Sequence, residues 1–294
     1  MRRCELVGEP VGLGPHDHVA WAHEGTADFR RGLVAFLDEG LAGDEQLLYY
    51  APREQSEMLD DVAGLAQSSG LLESGRLRIV PVTRRISDFT RLETARMMQG
   101  LRDRVADALS GGFHGLRMAS EVTPTFTSAE DSAAQLRLEC VVDQITARLP
   151  LVALCAVDGS SVVGPPEQAL FAMHHLRGGL AGVDAPWLSA IDDDTWLLRG
   201  QVDLVNRHGF ATALAALPSA MSGTALHLWV DQLEFIDVAG LRALVSLADS
   251  MSDHGRVVLH SPPSWLSKMI RLAFGDVRGL ELVGGKGWIP GCAR

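Results

Sequence analysis

The sequence predicts an α/β protein of two unequal domains, each built on a mainly parallel sheet. Three observations predict it. Short apolar runs alternate with helix-period segments along the first 180 residues. A glycine-rich stretch from Gly178 to Pro186 then breaks the rhythm. A second, shorter alternation follows, centred on Leu226 to Val245. Such alternation places crossover helices on the faces of a parallel sheet and leaves ligands the space outside the carboxyl ends of the strands.

Residues 1–15 are punctuated by glycine and proline and read as a loose arm. From His16 to Trp21 the chain leads into a helix over Thr26 to Gly40, with Phe29, Leu33, Phe36 and Leu37 on one face. Glu45 to Ala51 is a short buried strand, and Pro52 opens a second helix with Met58, Leu59, Val62 and Leu65 inward. Arg78 to Val82 is a strand, and Asp88 to Leu109 a helix stopped by Gly111 and Gly112. His114 to Glu121 is a strand, Glu130 to Arg148 a helix with Leu136, Leu138, Val142 and Ile145 inward, and Leu151 to Val157 a strand ending at Asp158. A helix over Pro166 to Leu176 closes the first half.

Past the glycines, Trp196 to Asp203 is a strand and Asn206 to Leu217 a helix. Leu226 to Ile236 runs as a buried strand into Asp237-Val238-Ala239-Gly240, and Leu241, Leu244, Val245, Ala248 and Met251 then recur at helical spacing. Asp237 is placed to cap that helix, whose free N–H groups favour an anion or a partner's acceptor. A strand at Arg256 to His260, a helix from Pro263 to Phe274 and a strand at Leu280 to Val283 finish the chain.

The 294 residues are 47% hydrophobic and 21% charged, which supplies a real core. A net charge of −11 argues against nucleic acid as the main partner, since phosphate binding needs clustered positive charge. The longest apolar run, Leu149 to Val157, is too short for a bilayer, and no apolar segment follows Met1-Arg2-Arg3. A cytoplasmic protein with no membrane partner is therefore expected. Cys4, Cys140, Cys155 and Cys292 are scattered and expected to be reduced.

No enzyme signature emerges. Gly8 to Trp21 lacks the G-x-x-x-x-G-K-[ST] pattern that cradles phosphates, and Ser160-Ser161 lacks G-x-S-x-G. Asp158 reads as a strand-end cap before it reads as a magnesium carboxylate. His16, His18 and His23 with Asp17 do not have metal-ligand spacing, so no metal or cofactor is expected, and His18 reads as a structural or ligand-contacting histidine. His174-His175 reads as a structural pair at a helix end. Arg117, Glu121, Arg137 and Glu139 read either as converging on a polar ligand pocket or as a buried Arg–Glu network.

Residues 197–203, 235–241 and 259–263 resemble the STAS domain of anti-sigma factor antagonists and sulphate-transporter tails. In antagonists the turn reads Asp-Ser-(Ser/Thr/Ala)-Gly, and an anti-sigma kinase phosphorylates the serine. Here Val238 and Ala239 stand at those positions, so that switch is not expected. The resemblance implies an anti-sigma factor or serine kinase as partner, contacted by Asp237, Val238, Ala239, Gly240 and Leu241. The first half resembles the MEDS sensory domain at His18 to Trp21, Phe36 to Gln46, Gly115 to Glu121, Leu136 to Glu139 and Leu154 to Asp158. That resemblance implies a RecA-like three-layer core and a small ligand, with His18, Trp21, Arg117, Glu121, Arg137, Glu139 and Asp158 as candidate contacts.

The organisation expected is a sensory domain at 1–180, a linker at 181–192 and a STAS domain at 193–294. The expected function is a non-enzymatic antagonist with a ligand sensor, open to homo-oligomerisation. The alternatives are a scaffolding STAS protein and a nucleotide-binding RecA-like enzyme.

Overall fold

The computed structural model describes residues 3–88, 91–122, 128–161, 164–179 and 184–284. Two sheets organise them. The first has seven strands in the order β1 (Glu5–Val7), β7 (Leu176–Gly178), β2 (His18–His23), β6 (Leu151–Asp158), β5 (Leu116–Glu121), β3 (Gln46–Ala51) and β4 (Leu77–Pro81), every neighbouring pair parallel. The second has five in chain order: β8 (Trp187–Ala190), antiparallel to β9 (Thr195–Val202), then β10 (Ala225–Ile236), β11 (Arg256–His260) and β12 (Leu280–Val283), all parallel to β9.

Alternation along β2 assigns its two faces. Val19 and Trp21 pack with Phe29, Leu33, Phe36 and Leu37 of α1 (Gly25–Ala42) and Met58 of α2 (Gln55–Asp61). His18, Ala20 and Ala22 face the other way, the latter two packing with Leu136 and Cys140 of α5 (Ala129–Arg148) and Ala169 to Ala172 of α6 (Pro165–Ala172). With α3 (Ser68–Glu73) beside β4 and α4 (Arg91–Ser110) beside α5, the first sheet is covered on both faces, as the rhythm of the sequence predicts.

The second sheet buries Trp196, Leu198, Leu226, Leu228, Val230, Val257 and Leu259 against α7 (Arg207–Ala216), α8 (Val238–Met251) and α9 (Ser264–Phe274). These residues and the α5–α6 layer form one continuous apolar cluster, joined where α6 meets α7. Gly209 of α7 leans on Gln168 of α6 so closely that an added Cβ would stand 2.5 Å from that side chain. No helix among the described residues is long and apolar enough to cross a membrane.

Three local expectations are corrected. The arm at 1–15 contains β1, which pairs with β7 at the sheet edge. The helix expected to reach Leu176 ends at Ala172, so His174 and His175 lie in the turn before β7. The linker span is part of the second sheet from Trp187 to Ala190, and residues 181–183 lie outside the described residues.

Arg177 of β7 fastens this junction. Its buried guanidinium donates to the carbonyls of Ala185 at 2.7 Å and Pro186 at 2.6 Å and lies over the Trp187 ring at 4.5 Å.

Candidate functional site

The helix α5 begins at Ser128, whose hydroxyl accepts from Asp131 N–H, with Glu130 and Asp131 suiting the positive end of its dipole. Asp131, Gln135, Glu139 and Asp143 follow at intervals of four and form one polar stripe, all of it buried. Glu139 and Asp143 face β2, β6 and the turn after α6, while Asp131 at the other end accepts from Arg85 and Ser87. Hydrogen bonds satisfy the stripe, as burial of polar groups requires.

Glu139 lies at the centre. Its Oε2 stands 3.3 Å from His18 Nε2, 3.3 Å from Cys155 Sγ and 3.5 Å from His174 Nε2, while Gln135 donates to Oε1. Cys155 Sγ is 3.5 Å from His18 Nε2, and the rings of His18 and His174 are 3.9 Å apart. His18 comes from the start of β2 and Cys155 from β6, one strand over and on the same face, because Ala20 is the partner of Cys155 in the register. His18 Nδ1 donates to Asp143 Oδ1 at 3.0 Å, and the other oxygen of Asp143 accepts from the backbone N–H of Ala190 in β8 at 2.6 Å.

Burial works against charge on His18, but its bonds to Asp143 and Glu139 raise its pKa above the usual imidazole value. Burial likewise opposes the Glu139 carboxylate, yet its hydrogen bond with His18 holds its pKa below the ordinary value. Burial and the charge on His18 push His174 down to about 3. Burial and Glu139 raise the Cys155 thiol well above its ordinary value. His174 Nδ1 lies 2.7 Å from the Leu170 carbonyl, which only accepts, so the proton is on Nδ1. The ring is neutral, and Nε2 carries a lone pair with no hydrogen-bond partner. The short approach of His174 to Glu139 is therefore a contact of two acceptors, not an ion pair.

Of the candidate contacts for a ligand, His18 and Glu139 meet in this cluster and the others do not. Trp21 lies on the opposite face of β2 against Gly32, where an added Cβ would stand 2.3 Å from the indole. Arg117 sits at the amino end of β5, donating to Glu45, to the carbonyls of Phe36 and Leu13, and lying over the Phe36 ring at 4.8 Å. Glu121, at the other end of β5, pairs with Arg53, which also reaches Asp61 and the Phe29 ring. Arg137 is half-buried outside the polar stripe. Asp158 ends β6 and accepts from Ser160 N–H and Oγ, the bonds that lower its pKa.

The four charged residues thus do not converge on one pocket. Arg117 belongs to a buried network of its own. Arg117→Leu is expected to destabilise the fold by about 3 kcal/mol in urea unfolding, because it strands the buried Glu45 carboxylate. Arg117→Lys should not rescue it, since an ammonium cannot reproduce the fork.

Two clefts among the described residues, of about 570 and 490 Å³, open beside α1, and His18 and Glu139 line neither. The set His16, His18, His23 and Asp17 is also dispersed. His16 Nδ1 bonds the Thr146 carbonyl, Asp17 meets His175, and His23 packs on Trp21 and Phe29. Cys155, Asp143 and His174 join the cluster unannounced by any motif; the repeat of four along α5 points to Asp143 alone.

At the carboxyl edge of the second sheet, Asp237 caps α8, its Oδ1 accepting from Gly240 N–H at 2.7 Å. Val238 is 54% exposed, and Phe235, Leu204 and Val205 stand exposed on the same edge. Leu241 is fully buried, and Gly240 is buried against Val202 and Ile236. Of the five expected contact positions, Asp237, Val238 and Ala239 reach the surface.

A family model, MEDS (MEthanogen/methylotroph, DcmR Sensory domain), matches residues 17–174, a span that runs from β2 to the turn after α6. No curated protein matches the chain.

Proposed function

The chain belongs to the MEDS family, and on that premise we propose that it is a non-enzymatic, cytoplasmic signalling regulator. In this reading the family domain is the sensory half. The second sheet acts as an anti-sigma factor antagonist of the STAS type, docking an anti-sigma factor or serine kinase.

The observation that carries the docking assignment is the apolar edge around Asp237. Four large side chains, Leu204 and Val205 in the turn after β9, Phe235 at the end of β10 and Val238 at the start of α8, are between 48% and 69% exposed at one end of the sheet. An exposed apolar group beside a capped helix N-terminus suits a protein partner better than solvent. The strand order, sequential with only the first strand antiparallel, supports the same reading. Nucleotide chemistry draws no support, because the turn from β2 into α1 is only Glu24 long and offers no cradle of glycines and lysine.

Control by phosphate at the usual serine is ruled out chemically, since Val238 and Ala239 have no hydroxyl. The sensory half then sets the activity of the docking edge.

The test is to mix the purified chain with the anti-sigma factors and serine kinases of its own genome. A stable complex at micromolar concentration is expected, and Val238→Asp should weaken it at least about thirtyfold, near 2 kcal/mol. Val238→Ser should become labelled by the bound kinase with radioactive ATP. No complex with any of them, together with large self-assembly in native mass measurements, would replace this reading with a scaffold.

A further inference from the structure

We propose that His18, Glu139, Cys155 and His174 form a closed site for one divalent transition-metal cation of the zinc class, with Asp143 as a positioning residue. The ligand atoms lie within 4.8 Å of one another, and all four side chains are buried. Four of the six separations between them are 3.3, 3.3, 3.5 and 3.5 Å. A cation held tetrahedrally at about 2.1 Å needs ligand separations of about 3.4 Å. The protein therefore presents nearly the required cage.

His174 gives the independent indication. Its Nδ1–H is committed to the Leu170 carbonyl, which leaves the buried Nε2 lone pair aimed into the cluster with no donor to meet it. Backbone carbonyls fix metal-binding imidazoles in this way. His18 has the complementary arrangement, its Nδ1–H held by the Asp143 carboxylate and its Nε2 turned inward. A cation placed among Nε2, Nε2, Oε2 and Sγ turns the unfavourable approach of His174 to Glu139 into two coordinate bonds. The thiol proton of Cys155 and the Nε2 proton of His18 leave to solvent as it binds.

The donor set selects the metal class. Two imidazoles, a thiolate and one carboxylate favour zinc and its neighbours over magnesium or calcium, which take oxygen ligands. Four protein ligands leave no open position for substrate, so the cation ties elements together and does not hydrolyse anything. It ties β2, α5, β6 and the turn after α6, four segments far apart in sequence. Asp143 carries the consequence to the second sheet, because its remaining oxygen holds Ala190 of β8. The site stands without any assumed partner; its use as a sensory input rests on the proposed function.

The test is titration of the metal-free full chain with Co²⁺ alone, followed by Zn²⁺. One equivalent of Co²⁺ should give intense tetrahedral ligand-field bands and a thiolate-to-cobalt charge-transfer band, both erased by Zn²⁺. Zn²⁺ should also raise the melting temperature. Cys155→Ser should lose the charge-transfer band, His174→Gln should lose tight binding, and Asp143→Asn should weaken binding about 10–100-fold. His260→Asn, which removes the surface pair His227–His260 as a competing site, should change nothing. A folded wild-type chain that gives no tetrahedral spectrum and no thermal shift overturns the proposal, whatever the variants do. An unchanged spectrum in folded Cys155→Ser overturns it as well. Failure of partner binding leaves this spectrum untouched, so the two readings fail separately.

Discussion

Asp143→Ala is expected to destabilise the protein by about 3–5 kcal/mol in urea unfolding, among the largest effects of any polar substitution here. The carboxylate is fully buried, and each oxygen has a separate duty, His18 Nδ1–H on one side and the Ala190 amide on the other. Alanine removes both acceptors at once. It takes from a buried imidazole the carboxylate that helps to sustain its charge, and from the Ala190 amide of β8 the acceptor it meets at 2.6 Å. Asp143→Asn separates the two effects. Its one carbonyl oxygen serves a single donor, so a loss near half that of alanine is expected, with the charge-dependent part falling on His18. If alanine costs under about 1 kcal/mol, the Asp143 bridge contributes little to the fold.

Gly179→Ala should be worse, at more than about 4 kcal/mol, and is expected to reach the insoluble fraction at ordinary growth temperature. Gly179 follows β7 with φ +79°, a region that L side chains rarely adopt. An added Cβ would also lie 1.6 Å from the carbonyl oxygen of Ala22 in β2. Backbone cannot yield as a side chain does, so relief requires β2 and β7 to part, and β7 carries Arg177 and its hold on Ala185 and Pro186. Gly112→Ala is the matched control. Its φ is +89°, but nothing lies within 4 Å of its Cβ, so it reports the backbone strain alone. Solubility and melting temperature of the two variants, compared side by side, measure how much of the effect is collision.

How far the fold was legible follows from how each element meets its neighbours. Strands such as Leu151–Asp158 are apolar on both faces because helices cover both, and that pattern survives in sequence as an unbroken run. The edge strand Glu5–Val7 and its neighbour Leu176–Gly178 are three residues each, too short to show any period. The stripe on α5 was present in the letters but hidden by a second apolar face. Leu138, Val142 and Ile145 satisfy a one-sided helix, but Leu136 packs in a different cluster, and packing on two sides also buries Asp131, Gln135, Glu139 and Asp143. Arg117 and Glu121 looked convergent because they are close in sequence. Four residues along a strand separate them by about 13 Å, which delivers them to opposite ends of the sheet. The cluster itself draws on residues 18, 139, 155 and 174, and nothing short of the strand order brings those together.

The apolar cluster running from α5 and α6 through α7 into the second sheet has a bearing on what the glycine-rich junction means. A break in composition does not by itself mark where cooperativity ends. Phe210 and Ala213 of α7 are completely covered in this cluster, and so are Ala169 and Ala172 of α6. Denaturant cannot wet one side of that seam without wetting the other. The two halves are therefore expected to melt as a single unit, with coincident transitions for probes placed in either sheet.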